Sequence, residues 1–153
     1  MSVLHLHLLL NHFPVIGTII VIALFGVAIV WRSNSVARVS LGLLVSLGAI
    51  ALLVFFTGEP AEEAIENLPG FSEAITERHE EFALAATIVL ASLGGLALGA
   101  LLLLRKREIP KWITVSAFML SLVAGGMMGY TAMLGGQVRH TEVRPGAAVI
   151  DHD

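Results

Sequence analysis

The chain has 153 residues, of which 56% are hydrophobic and only 14% are charged, and its mean hydropathy is +0.86. An average soluble domain carries roughly 25% charged residues, so this composition excludes an ordinary water-soluble monomer and indicates the lipid bilayer as partner. The net charge of -3 and the absence of a basic run argue against binding to nucleic acid. The chain contains no cysteine, which excludes disulfides, thiolate metal sites and a catalytic thiol.

Four apolar runs are each long enough to cross a bilayer as a helix, which takes about 20 residues. They contain no charged residue and cover 13–31, 39–56, 82–104 and 112–134. With their polar ends included, we predict spans at about 8–31, 39–57, 74–104 and 112–138, an outer loop at 58–73 and a tail at 141–153. Residues 1–140 thus form one four-helix transmembrane domain. No basic residue precedes the first run, so we interpret it as a retained span and not a removed signal peptide.

The basic residues predict the direction of the spans, because cytoplasmic loops retain Lys and Arg. Six of the nine basic residues lie in two short connections, at 32–38 and 105–111. The opposite loop, 58–81, carries eight glutamates and a single arginine. We therefore expect a multi-pass protein of the bacterial inner membrane with both termini on the outer, periplasmic side. The short inner connections predict an all-α, up-down four-helix bundle.

Two prolines mark helix starts or breaks. Glu59-Pro60 at the head of an acidic segment predicts a short helix in the outer loop. Pro14 has two interpretations: it kinks the first span by freeing the Leu10 carbonyl, or it marks a helix start near Phe13. In the second case the histidines before it lie in an irregular interfacial segment.

All six histidines are expected on the outer side or at outer helix ends, and they are His5, His7, His12, His79, His140 and His152. At ~1.5 Å per residue from the inner helix ends, His7, His79 and His140 reach one level, and His12 lies about two turns deeper. Helical phase directs His79 into the bundle. The same projection places five residues on one stripe of the fourth helix, namely Gly126, Gly129, Met133, Gly136 and His140. We expect these imidazoles to face each other across a glycine-lined space that has room for a flat group.

Inward histidines at one end of a helical bundle suit a transition metal or a haem iron, because neutral imidazole binds iron, copper and zinc. Haem fits best, since bundle cores take axial histidines from facing helices and glycines make room for the macrocycle. The candidate ligands are His7, His12, His79 and His140, with Met133 as an alternative sixth ligand and Gly129 and Gly136 beside the ring. Spacing does not choose between bis-His and His/Met ligation. Arg78, Arg139 and Arg144 are candidates for pairing with haem propionates.

Simpler roles stay open beside these. His5 and His152 suit the headgroup level as amphipathic side chains, and whether they take part in a site is undecided by the sequence. The pairs Gly95-xxx-Gly99 and Gly125-xxx-Gly129 are typical of close helix packing in lipid, and we favour that interpretation for the first pair. The acidic loop is a solvated surface or a docking face for a cationic partner.

The start of the first span resembles a known family. Residues 6–14 read Leu-His-Leu-Leu-Leu-Asn-His-Phe-Pro. They are similar to the His-Pro-x-x-x-His-Phe-Pro pattern of the bacterial predicted four-helix membrane proteins grouped as domain of unknown function 2231, with Leu8 where proline is usual. Thr57-Gly58, His79 and the segment 135–140 also resemble family landmarks, so the similarity covers about residues 5–140. The family has no assigned function. Some of its members are joined to Rieske-type or other electron-transfer domains, which implies a haem-carrying redox role.

Three hypotheses follow. The first is a membrane b-type cytochrome subunit, an electron-transfer subunit and not a stand-alone enzyme, with one or two b haems near the outer face. It would pass electrons between quinol or another subunit of a membrane redox complex and a periplasmic electron carrier. The second is a copper or zinc site at the outer face, which needs three or four histidines around one centre. The third is a cofactor-free structural subunit of a larger membrane complex.

Overall fold

The computed structural model describes residues 3–145, and four of its helical segments are long and apolar enough to cross a membrane. The helices are α1 (Val3–Leu10), α2 (His12–Val30), α3 (Asn34–Phe56), α4 (Gly58–Glu63), α5 (Glu73–Leu103) and α6 (Lys111–Arg139), and a 3-10 turn follows at Thr141–Val143. The first candidate span combines α1 and α2, and the others are α3, α5 and α6. The all-helical class and the four candidate spans are thus confirmed. Residues 146–153, and with them His152, lie outside the described range.

The four long helices form a bundle in which each one packs against two neighbours. Helix α3 contacts α2 and α5, and α6 contacts α5 and α2, so the chain runs up and down around a square. Phe25, Leu41, Leu44 and Leu90 are fully buried between the helices. The opposite faces are apolar as well, and Leu96 is 68% exposed. A helix that is apolar on all sides suits an apolar solvent, which explains why the outward face needs no polar residues.

Helices α3 and α5 approach each other closely enough for their backbones to touch. A Cβ added to Gly94 would lie 3.0 Å from the carbonyl oxygen of Leu44, and one added to Gly48 would lie 3.1 Å from that of Leu90. Both glycines are buried, and each one's Cα lies 3.3 Å from the Cβ position of the other. Glycine is required here because the two backbones themselves are in contact.

The glycine pairs predicted from spacing do not make such contacts. A Cβ at Gly95 or Gly99 would have no neighbour within 4 Å, so the packing glycine of α5 is Gly94 and the prediction for the Gly95 pair is wrong. On α6, a Cβ at Gly125 would lie 2.9 Å from Ile22 of α2, whereas one at Gly129 would meet open space. Spacing identifies a small-residue face, but the helix phase decides which member of it meets a neighbour.

The two ends of the bundle differ in charge and in construction. At the basic end, between α2 and α3 and between α5 and α6, Arg38 donates to the carbonyls of Leu104 (2.7 Å) and Arg107. Asn34 Oδ1 there accepts from the Ile109 amide at 2.8 Å. The acidic end holds α1, the connection 57–72 and residues 140–145, so both ends of the described chain lie on the same side of the bundle.

Pro14 follows a one-residue interruption of the first span. Helix α1 ends at Leu10 and α2 begins at His12, but Asn11 between them keeps helical angles (φ -61°, ψ -22°) and its amide donates to the His7 carbonyl. Because the helical course continues through Asn11, the missing N–H of Pro14 leaves the Leu10 carbonyl without its helical donor, as the kink interpretation expects. The preceding residues form α1, which packs on α4 and α3. His5 and His7 therefore lie in a helix, and the irregular segment expected for a helix start near Phe13 is not found.

Candidate functional site

His7 is fixed at the acidic end by the last turn of α3. Its Nδ1 lies 3.2 Å from the Val54 carbonyl oxygen and 3.1 Å from Thr57 Oγ1. A carbonyl only accepts, so Nδ1 carries the proton, while the Thr57 hydroxyl donates back to the Val54 carbonyl at 2.9 Å. The ring is partly buried, and Cε1 lies 3.8 Å from the Cβ position of Gly58. Nε2 of His7 is thereby left with its lone pair.

His79 is fixed in the same way by α6. Its Nδ1 lies 3.1 Å from the Thr131 carbonyl oxygen, and the ring is partly buried. A Cβ at Gly135 would lie 3.1 Å from Cε1 of this ring, so the imidazole occupies the space that the glycine leaves. Since Nδ1–H donates to the carbonyl, Nε2 of His79 also keeps its lone pair. The expectation that His79 turns toward the bundle agrees with this position.

We group these two histidines as one candidate site, the paired-histidine site (His7 and His79). They come from α1 and α5 and lie near each other at the acidic end of the bundle. In both, the ring N–H is held by a backbone carbonyl, which is the arrangement that orients a ligating histidine and raises its basicity. The site thus offers two oriented Nε2 lone pairs.

His12 and His140 do not join this pair. His12 is exposed beside α3, with Nδ1 3.3 Å from the Leu8 carbonyl oxygen one turn earlier. His140 follows the end of α6 and pairs with Glu142, its Nδ1 lying 2.9 Å from Oε1 with 60% of the His140 side chain exposed. The Glu142 pKa lies below its usual value because its own backbone amide and the His140 side chain both donate to it. The prediction that these four imidazoles face each other across one space is therefore wrong.

The glycine stripe of α6 faces outward. Gly126 and Gly129 are exposed, Met133 is 50% exposed, and Cβ atoms at Gly126, Gly129 and Gly136 would meet nothing within 4 Å. The inward face of α6 is instead set by its buried residues, which are Thr114, Ser121, Ala124, Met128 and Leu134. The prediction placed the stripe of Gly126, Gly129 and Gly136 on the inner face of α6. The helix is rotated so that these three glycines face away from the neighbouring helices, and the adjacent Gly135 contacts His79 instead.

The arginines at this end have protein partners or lie exposed. Arg144 donates to the carbonyls of Gln137 (2.8 Å), Val138 (3.1 Å) and Gly70 (2.8 Å), so it caps α6 and binds the loop to it. Arg78 donates to the Tyr130 hydroxyl at 3.0 Å. Arg139 is exposed at the last turn of α6. Of the three, Arg144 is the least suited to the propionate role, because its guanidinium already satisfies three carbonyls.

Two glutamates lie close to the paired-histidine site and were not singled out by the sequence. Glu62 of α4 shares a hydrogen bond with Glu80 of α5, and this bond, together with partial burial and the Glu80 charge, raises the pKa of Glu62 to about 7. Glu62 also interacts electrostatically with His79. Within residues 3–145, no three His, Asp or Glu side chains form a group that could hold a metal ion. Because the segment 58–81 contains eight glutamates, the sequence gives no reason to select Glu62 and Glu80 from among them.

The Glu62 contact predicts a pH-dependent attachment of α4. The folded-state pKa of Glu62, about 7, lies above the usual 4.5. The contribution of Glu62 to the attachment of α4 is therefore fully present below pH 4.5 and is lost as the pH rises through 7. We expect amide hydrogen exchange in α4, corrected for intrinsic rates, to speed up across this window. Glu62→Gln keeps a hydrogen bond to Glu80 without the titration and should make the profile flat, whereas Glu63→Gln on the same helix should leave it unchanged. An unchanged profile in Glu62→Gln would contradict the assignment.

Comparison with known proteins adds no relative: no family model, no curated protein and no solved structure matches this chain. The site has to be interpreted from its own chemistry. Thr57 and Gly135 belong to segments that the family resemblance singled out, and the structure gives each a contact with a histidine ring. Thr131 contributes only a backbone carbonyl to His79, which no sequence pattern reveals.

Proposed function

We propose that this chain is a membrane electron-transfer subunit that binds b haem at the paired-histidine site, where His7 and His79 would hold the iron. The orientation proposed with it places the acidic end on the outer, periplasmic side of the bacterial inner membrane, because the basic connections lie at the other end. The family resemblance to the domain of unknown function 2231 proteins is part of the same proposal.

One observation supports the ligand assignment above the others. Both histidines hold Nδ1–H on a backbone carbonyl, at 3.2 Å for His7 and 3.1 Å for His79, and so each keeps an unprotonated Nε2 as a ligand donor. Haem iron in helical bundles is often held by two histidines from different helices, as His7 of α1 and His79 of α5 would hold it. The donor chemistry of the residues therefore fits the group.

The chain's own residues would bind and tune such a group. Haem supplies one-electron redox chemistry when bound. The carbonyls of Val54 and Thr131 hold the imidazoles in one tautomer and strengthen them as donors. Gly58 and Gly135 leave the space in which the rings lie. Arg78 and Arg139 remain candidates for propionate pairing. The six histidines are expected at one end, so the chain alone would not carry electrons across the whole bilayer; its partners would be quinol or another subunit and an outer electron carrier.

An absorption spectrum of the purified protein tests the proposal. We expect a Soret band and, after dithionite, a sharp α band, with the haem content measured as the pyridine haemochrome. A colourless protein that carries stoichiometric copper or zinc would replace the proposal with the metal-site hypothesis. A protein with neither haem nor metal, purified from cells that make haem normally, would leave the structural-subunit hypothesis.

A further inference from the structure

A groove between α2 and α3 opens on the outward surface of the bundle and begins beside His12. Its volume is about 370 Å³, which lies within the range of sites for small organic molecules. Its main walls are Ile16 and Ile20 of α2 and Leu43, Leu47 and Ile50 of α3. Between His12 and Ile20 the groove extends over ~12 Å along the helix. The proposed haem ligands do not line it, so it is a separate feature.

The groove has an apolar body and a polar end. Apart from Ser46, whose hydroxyl donates to the Gly42 carbonyl at 3.2 Å, His12 is the polar side chain in its lining. His12 Nδ1 lies 3.3 Å from the Leu8 carbonyl oxygen, so in the neutral ring Nδ1 carries the proton and Nε2 accepts. A molecule bound here would place a hydrogen-bond donor at the acidic end and an apolar chain along the helices.

The side of the bundle on which the groove opens indicates where its occupant comes from. Ile16 and Ile20 are 54% and 50% exposed on a helix that is apolar on all sides, so the groove opens toward the hydrocarbon. The ester oxygens that adjoin the acyl chains of a phospholipid are acceptors, as is Nε2 when Nδ1 alone carries the proton, so an acyl chain lying in the groove brings no donor to it. The hydroxyl of a quinol is a donor, and its ring and tail suit the apolar walls.

We propose that this groove is a quinol-binding site in which His12 Nε2 accepts a hydrogen bond from the quinol hydroxyl. The proposal names the membrane partner of the redox role given above, and its functional meaning rests on that role. Because the oxidised quinone has only carbonyl acceptors at its ring, the site should prefer the reduced form. That preference distinguishes the proposal from a groove that is filled by acyl chains.

Calorimetric titration tests the site without electron transfer. Decylubiquinol is titrated anaerobically into protein that was first reduced with dithionite and desalted, and decylubiquinone is titrated into oxidised protein, so that neither pair can react. We expect the quinol to bind about tenfold more tightly than the quinone, the effect of one hydrogen bond. His12→Phe, which keeps the apolar shape, should lose this preference.

Matched tryptophan variants test the location. Ile16→Trp should fill the groove and weaken quinol binding at least about tenfold. Ile19→Trp adds the same side chain at a 62% exposed position outside the groove lining and should bind as the unaltered protein does. Helix content and size-exclusion profile verify that each variant is folded.

The proposal fails if quinol does not bind, if quinone binds equally well, or if the two tryptophan variants behave alike. Recovery of phospholipid alone from the groove, with no displacement by quinol, would also overturn it. Failure of the haem proposal is separate, because it appears in the absorption spectrum and leaves the titration result intact.

Discussion

His79→Ala is expected to lower the haem content by at least about half, and to abolish it if one haem is bound, because an axial ligand is lost. The ring is held by the Thr131 carbonyl at 3.1 Å and lies against Gly135, so its removal leaves an empty space beside α6. His7→Ala should have the same effect from the other side. The measurement is the pyridine haemochrome per protein, together with the reduced α band.

A cavity variant keeps this test independent of folding. His79→Gly purified with added imidazole should recover the haem band, because free imidazole can occupy the vacated space as a ligand. His140→Ala is the matched control: that side chain is 60% exposed and paired with Glu142, so haem content should not change. Loss of haem in His140→Ala with retention in His79→Ala would overturn the ligand assignment in favour of the outer stripe.

Gly94→Leu is expected to disrupt the bundle, because it inserts a side chain where two backbones are in contact. A Cβ alone would lie 3.0 Å from the Leu44 carbonyl oxygen and 3.3 Å from the Gly48 Cα, and neither atom can move without moving α3. Overpacking of this kind costs about 3 kcal/mol. For a chain of this size the midpoint of thermal unfolding should fall by ~10 °C. The measurement is a size-exclusion thermal shift in detergent.

Gly95→Leu provides the control on the neighbouring residue. It adds the same volume and hydrophobicity to the same helix, but a Cβ there meets nothing within 4 Å. We expect its Tm to stay close to that of the unaltered protein. Equal destabilisation by both substitutions would mean that loss of glycine itself, and not the contact between α3 and α5, limits stability.

The helix phase explains why the site was only partly predictable. His79 was expected to turn toward the bundle, and the structure places it against α6. His140 was expected beside it, but α6 ends at Arg139 and the next residue departs from helical geometry with φ -106° and ψ 100°. An angle of 100° separates consecutive residues in a helix, so a small error in the assumed inner face moves a stripe from the core to the lipid side. Apolar residues on both sides of each span removed the contrast that normally fixes this phase.

The sequence could not predict which groups form hydrogen bonds with the histidines. His7 and His79 are held by the backbone carbonyls of Val54 and Thr131, distant by 47 and 52 positions in the chain. A carbonyl is present at every residue, so no pattern marks the two that are used. The Glu62 and Glu80 pair was hidden for a similar reason, since the segment around it is rich in glutamate.

The amino-acid sequence by itself determined the helical class, the four apolar spans and the separation of acidic from basic connections. These features follow from composition and local order, because a bilayer requires about 20 apolar residues in a row and a backbone that satisfies its own hydrogen bonds. Only the tertiary structure decided that Gly94 and Gly135 are the glycines in contact and that His7 and His79 are the histidines held by backbone carbonyls of other helices. Those outcomes depend on the rotation of each helix against its neighbours, which long-range packing sets and local sequence does not.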